Sequence, residues 1–473
     1  MKKLFCMLIV AMVTPLLSGC PGNKGSTAEP PSKFTPIAGD GRVMLTWTPN
    51  PSVDYWLFTA TDPSLTAFNW TGLPNAHAYA NVATPFYMCG LFNGTLSNGT
   101  LTPLPYYFAA NGRTNGGPGG PSSPTIKATP YNAASGVWAT SSTPSSSLDL
   151  YGVGYTSLTT CSNSTTSAAG SFAAVGKSGA IFTSADGKTW TPPTTVPSGL
   201  PDLYAVTGYA ANLNNPTTPA QSWLAVGAGE ASVYSTDGIT WYDGLTYNPT
   251  SATLHSLTHV AGTGTFFAVG DNGTIVSGTV PTIPSNGIAW TTIITSGTTN
   301  NLQGVTHGNI YVAVGDKGTI VTSADSITWN PQTPTPATTN TLRQVTYFAS
   351  SYGSIYVAVG DAGTIVTSKD GGVTWITQTT PIVSNLVGIA VETQLVYVAT
   401  PVVDPSLGFI SIAQLVAVDN TGNAYTSPNG YTWTSVPVST GTTSTNATSL
   451  NALVSSGFGY VAVGNAGATV SAF

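Results

Sequence analysis

The chain has 473 residues, only 6% of them charged, with 12 Lys and Arg against 18 Asp and Glu for a formal net charge of −6. So few cations leave no basic surface on which a phosphate backbone could release counterions, which excludes nucleic acid as a partner. Eleven Trp, 21 Tyr and 52 Gly among abundant Ser, Thr and Asn exclude a highly charged disordered tail and indicate an all-β chain rich in turns.

The first residues, Met1-Lys2-Lys3 followed by an apolar stretch from Leu4 to Leu17, have the layout of a secretory signal, and the stretch is short for a membrane span. Leu17-Ser18-Gly19-Cys20 resembles the lipobox of bacterial lipoproteins. The resemblance implies removal of residues 1–19 and a diacylglycerol on the Cys20 sulfur, so that the chain meets the membrane through its anchor. The alternative is an ordinary signal peptide with a chance cysteine. Pro21-Gly22 after the cysteine, with no aspartate, implies the outer membrane of a Gram-negative cell envelope. Residues 20–32 are Pro, Gly, Ser, Asn and Lys with little that is apolar, the composition of a tether.

Residues 33–130 alternate apolar and polar positions in short runs such as Arg42 to Trp47, Tyr55 to Phe58 and Tyr106 to Ala110, separated by Gly, Pro and Asn. That pattern predicts short antiparallel strands in a sandwich. Gly41-Arg42-Val43-Met44-Leu45-Thr46-Trp47 and the late stretch Tyr107 to Gly112 resemble a fibronectin type III domain, which implies a spacer or adhesion module. Of the four cysteines, Cys6 leaves with the signal and Cys20 takes lipid, leaving Cys89 and Cys161. In an oxidising compartment these two are expected to pair; the alternative is two buried thiols.

From 131 to 473 the chain repeats. The phrase aromatic-Val-Ala-Val-Gly-Asp-x-Gly-Thr-Ile-Val-x-Ser returns with its turn position at Gly176, Gly227, Gly270, Gly315, Gly360, Asp419 and Gly464. Seven copies of this length predict a seven-bladed β-propeller. Each copy divides into a Leu-x-x-Val-Thr strand, the Tyr-Val-Ala-Val strand, a Gly-Asp-x-Gly turn whose glycines are expected to supply positive φ, a third strand and a Trp-bearing fourth. The last copy ends after three strands. Gly136-Val137-Trp138-Ala139-Thr140 supplies the missing fourth, so an N-terminal strand closes the ring and removes its open edges.

Between the third and fourth strands stands Ser-x-Asp-Gly-x-Thr-Trp, with Asp186 and Trp190, Asp237 and Trp241, Asp325 and Trp329, Asp370 and Trp375, and Trp433 behind Asn429. It resembles the Asp-box of sialidase-like propellers. Repetition in blade after blade marks a fold device, with the carboxylate holding its own turn and the Trp covering the sheet packing. Sialidases grip substrate with three clustered arginines; this chain has Arg42, Arg113 and Arg343, and only Arg343 lies in the propeller. No catalytic residue, cofactor or metal is assigned. His259 and His307 occupy equivalent positions in adjacent blades without a third ligand, and read as structural. Six further propeller acids, Asp149, Asp202, Asp243, Asp404, Glu230 and Glu392, share no motif.

The second position of the first strand varies around the ring as Tyr151, Tyr204, His255, Gln303, Arg343, Val387 and Asn451, and Asp271, Asp316 and Asp361 stand in the turns of consecutive blades. These residues are expected on one rim, which is the candidate binding face. The repeat also resembles the propeller family of photosystem II assembly and stability factors, which implies protein binding without catalysis. Its photosynthetic members use an arginine-rich face that this chain lacks. The expected function is therefore a non-enzymatic envelope lipoprotein that binds an envelope or extracellular protein. The alternative is a glycan-binding or glycoside-hydrolysing propeller.

Overall fold

The computed structural model describes residues 25–472 apart from 40–41, 90, 92–93, 98–99, 131–137, 141–146, 157–169, 212–219, 230, 248–250, 261–262, 280–287, 351–352, 399–408, 437, 440–448 and 457–458. Every regular element among them is a β-strand or a single 3-10 turn, and no helix is long and apolar enough to cross a membrane. Cys20 and Cys161 lie outside the described residues, as does the side chain of Cys89, and the lipid and disulfide expectations fall there with them.

The chain divides into two compact units. The smaller takes the residues up to Thr35 with Thr46–Pro85 and Tyr106–Lys127, and the larger takes Pro36–Leu45, Phe86–Pro105 and Ala128 onward. Segments 36–45 and 86–105, expected within the sandwich, therefore belong with the larger unit.

In the smaller unit Tyr106–Arg113 pairs with Asp54–Ala60, which pairs in turn with His77–Val82. The apolar alternation of the central strands buries Phe58, Ala60 and Ala109 with Leu65 and Ala67. Trp47 packs edge-on against Phe34 and Tyr55, with ring centroids 6.1 and 6.0 Å away. The expected tether is shorter than its composition suggests. Thr27–Ala28 already forms a strand against Arg113 and Gly112, because this edge offers unpaired backbone groups that any extended segment can satisfy.

The larger unit is a propeller. Seven of its sheets follow one another along the chain, each opening on an inner strand that begins with leucine: Leu150–Thr156, Leu203–Ala211, Leu254–Val260, Leu302–His307, Leu342–Ser350, Leu386–Val398 and Leu450–Ser455. Consecutive inner strands lie side by side, and the last lies beside the first. The Val-Ala-Val second strands are apolar on both faces because each face meets a different neighbour. Val312 and Val314 pack toward the fifth sheet, whereas Ala313 packs toward the third.

One apolar cluster fills each junction between sheets, including the junction of Val461 and Val463 with Leu150 and Phe172 that closes the circuit. Six of the clusters contain a buried fourth-strand tryptophan: Trp190, Trp241, Trp290, Trp329, Trp375 and Trp138. Trp433 packs against the remaining one.

The seventh sheet takes its outer strand from far earlier in the chain. Trp138–Thr140 pairs antiparallel with Thr469–Ala472, and Val438–Ser439 covers its other edge in parallel. The same cover recurs where Leu245–Tyr247 lies along Ile288–Thr295 of the third sheet. An edge so occupied offers no ladder to another chain.

Glycine at the end of each second strand has a reason other than the expected one. Gly270, Gly315 and Gly360 are extended, with φ near −170°, and need no left-handed freedom. What they lack is space: a Cβ on Gly360 would stand 2.0 Å from the Thr341 carbonyl oxygen. Positive φ falls two residues later, on Asn272, Lys317 and Ala362 and on the glycine that follows each. Gly360→Ala should therefore cost at least about 2 kcal/mol through forced backbone displacement. Trp375→Ala should cost about 3–5 kcal/mol by emptying a junction between sheets. Urea denaturation of the two variants beside the parent chain measures both.

Candidate functional site

The contact that excludes a side chain at the glycine also shapes the rim. In each sheet the N–H after the second strand donates back to the carbonyl of the residue before the inner-strand leucine, as in Lys177 to Asp149 (2.9 Å), Asp316 to Asn301 (2.9 Å) and Asp361 to Thr341 (2.9 Å). The leucine pairs with the glycine, as in Leu302 with Gly315, and the ladder then skips one residue. That skip recurs in all seven sheets, and the skipped residues are Tyr151, Tyr204, His255, Gln303, Arg343, Val387 and Asn451. A bulge takes a residue out of the ladder and re-aims its side chain. The position that varies most in the repeat is thus the one the backbone frees from pairing.

Four of these residues are tied to the turn of their own sheet. His255 Nε2 lies 2.8 Å from Asp271 Oδ1, and Arg343 Nε lies 2.5 Å from Asp361 Oδ1. Gln303 donates to Asp316 at 3.3 Å and Asn451 to Asn465 at 2.7 Å. Val387 is half-buried against the junction of the sixth and seventh sheets. At the turn position where other sheets carry Asp271, Asp316 and Asp361, the sheets of Tyr151 and Tyr204 carry Lys177 and Ala228. Tyr151 and Tyr204 stack on each other at 5.4 Å, and Tyr204 meets His255 at 5.7 Å. The rim is therefore an aromatic arc over the first three sheets and self-tied polar residues in the fourth, fifth and seventh, with Val387 between the last two.

Sequence reasoning left Asp149 and Asp202 without a role, and the structure gives them one. Asp202 Oδ1 accepts the Ser178 N–H at 2.7 Å, and Asp149 Oδ1 accepts the Ala466 N–H at 3.0 Å, each clasping the turn of the preceding sheet. Asn301 does the same for Asn272, and Asn385 for Ala362, both at 2.9 Å. The signal was present as Asp or Asn directly before the inner-strand leucine.

Asp419, counted among the turn aspartates, instead ends the second strand of the sixth sheet opposite Leu386. It is fully buried and accepts from Ser384, Thr421, Asn423 and Tyr425. Burial would raise its pKa, but these bonds outweigh that and hold it below the usual range. Glu392 is also buried and accepts from the Gly459 N–H at 2.7 Å. Both acids act within or between neighbouring sheets. Glu230 and Asp404 lie outside the described residues.

The turns between third and fourth strands project from the face opposite the rim, since strands alternate in direction. Asp186 Oδ1 accepts the N–H groups of Lys188 and Thr189, and Asp237 and Asp325 do likewise with Ile239, Thr240, Ile327 and Thr328. Asn429 replaces the carboxylate with the same geometry, at 2.9 and 3.0 Å, so the turn needs an acceptor and no charge. Trp241, Trp329, Trp375 and Trp433 each donate the indole N–H back to the carbonyl three residues earlier. A depression of about 350 Å³ is lined by Asp186, Asp237, Thr183 and Thr189, but both carboxylates are already engaged in their turns.

His259 and His307 make ring contacts to Phe266 and Tyr311, and burial lowers the pKa of each. Among the described residues no three His, Cys, Asp or Glu side chains converge.

No family model matches the chain, and no curated protein does. Among solved structures it is similar to YCF48 from Cyanidioschyzon merolae, at 16% identity and TM-score 0.46 over 71% of this chain and 98% of that one. A structure of YCF48 bound to D1 peptide matches at 16% identity and TM-score 0.49, over 72% and 97% of the two chains. Virginiamycin B lyase from Staphylococcus aureus, solved as a catalytically inactive form with quinupristin, matches at 11% identity and TM-score 0.49, over 71% and 98%.

The turn carboxylates should titrate in acid. Backbone N–H groups of Thr328 and Ile327 hold Asp325 down to about 2. For Asp370, burial pulls upward, but the bonds from Thr374 and Ser368 win and it too falls to about 2. A depressed folded value means that their contribution is complete above the unfolded value of about 4 and lost as pH falls through about 2. Carboxyl-carbon NMR should place both midpoints near pH 2. Asp325→Asn should keep the turn, as Asn429 does, and flatten the acid limb of the stability curve.

Proposed function

We propose that the chain is a non-enzymatic lipoprotein of the Gram-negative envelope. In this reading it is anchored at Cys20 in the outer membrane, with a fibronectin type III-like sandwich before a seven-bladed propeller that binds a partner protein through its rim. One observation carries the reading of the rim. The position at which the repeat varies is the bulged residue of every inner strand, where the ladder makes no demand on the side chain. Recurring turns on the opposite face are explained by their own hydrogen bonds, which leaves the variable rim positions, above all the stacked Tyr151 and Tyr204, as the residues whose chemistry the fold does not consume.

The anchor and the export reading rest on Leu17-Ser18-Gly19-Cys20 behind its apolar stretch. A scaffold held at a membrane by a short tether gains effective concentration for any partner in the same envelope layer.

The test is capture from envelope extract by the purified protein, run beside a glycan array. Replacing His255, Gln303, Arg343 and Asn451 together by serine should abolish capture. Replacing the exposed Ile327 and Val373 on the opposite face by serine should leave it intact. Capture that survives the rim variant, or glycan binding that the rim variant removes, would overturn the reading.

A further inference from the structure

We propose that the aromatic arc of the rim, Tyr151, Tyr204 and His255 with Asp149, Asp202 and Asp271 around them, binds an extended basic segment of the partner, recognising its arginine or lysine side chains. This rests on the reading of the rim as a protein-binding face and names the chemistry of what it takes.

The arc is set apart by what its residues do not do. Across the ring Gln303, Arg343 and Asn451 each commit a side-chain N–H to their own turn. Tyr151 and Tyr204 are half-buried, and among the described residues their hydroxyls make no hydrogen bond. Asp149 and Asp202 each commit one carboxylate oxygen to a backbone N–H and leave the other without a partner among the described residues. Asp149 and Asp202 act on the Tyr151 phenol and Asp202 and Asp271 on that of Tyr204, with the Asp271 carboxylate shared with His255. The phenols lie in this negative field. Burial first, and then Asp202 and Asp149, raise Tyr151 above its usual range, while burial followed by Asp202 and Asp271 does the same for Tyr204.

A surface made of phenol and carboxylate oxygens with rigid rings between them takes donors that carry positive charge. Arginine and lysine supply them. Tyr204 is stacked by Tyr151 and also meets the tilted ring of His255, which leaves less of it free for a sugar to stack upon. Ring spacings of 5.4 and 5.7 Å are close to the distance of about 6.6 Å between every second side chain of an extended strand. Alternate side chains of one segment would then meet successive sheets.

The probe is a set of three fluorescein-labelled peptides of about eleven residues on one Gly-Ser-Thr frame, with alternate positions Arg, Gln or Glu, titrated with the purified full chain and read by anisotropy. The Arg peptide should bind at least tenfold tighter than the Gln peptide, the Glu peptide should not bind, and raising salt from about 50 to 300 mM should weaken the Arg peptide at least tenfold. Asp149→Asn with Asp202→Asn keeps the clasps, as Asn301 and Asn385 do natively, and should cut Arg-peptide affinity at least tenfold. Tyr151→Ser with Tyr204→Ser should do the same, and Ile327→Ser on the opposite face should change nothing. Equal binding of the Arg and Gln peptides, or an unaltered asparagine variant, overturns the proposal. If that happens while envelope capture still depends on the rim, the partner is a protein of other chemistry; capture indifferent to the rim removes both readings.

Discussion

A single backbone contact organises the propeller. The carbonyl before each inner-strand leucine occupies the place of a side chain at the end of the second strand, and it receives the N–H of the following turn. Only glycine fits opposite it in six of the seven sheets. The sixth sheet departs from this by placing Asp419 there and surrounding the carboxylate with donors. Because that contact pins leucine to glycine, the strand must absorb one extra residue before regular pairing resumes. The bulge follows from the pin, and the rim is the set of bulged residues.

Packing between sheets is the second layer of the same design. Each second strand is apolar on both faces, and each tryptophan sits over the junction with the neighbouring sheet, so stability is spread around the circuit in seven similar clusters. Clasps from Asp149, Asp202, Asn301 and Asn385 join four of the seven junctions at the rim. The junction between the last sheet and the first, which brings the C-terminal strands against Leu150 and Phe172, has both a full apolar cluster and a clasp. A fold whose scaffold is over-determined in this way tolerates variation where the ladder is interrupted. The aromatic arc and the self-tied polar arc are two outcomes of that freedom on one backbone.

Much of this was legible in the chain itself. Repeats of one phrase show the sheets, and the phase of the repeat assigns the strand of Trp138 to the C-terminal hairpin, because a truncated last copy and an orphan first strand complement each other. The turn motif was legible as structure because its acid recurs without variation in role, and Asn429 shows that its charge is dispensable.

What the chain alone could not show depends on distances between residues remote in sequence. Glycine after Val-Ala-Val reads as a turn residue until the carbonyl two ångströms from its missing Cβ is seen. Asp149 and Asp202 look idle because the N–H groups they accept belong to other sheets, and in one case the donor is 317 positions away. Tyr151 and Tyr204, separated by a full repeat, become one stacked surface only when the ring brings their bulges together. Local periodicity determines which strands form and in what order. The tertiary structure decides which polar atoms are consumed by the fold and which remain at the rim, because hydrogen bonds are satisfied by proximity in space and not by spacing along the chain.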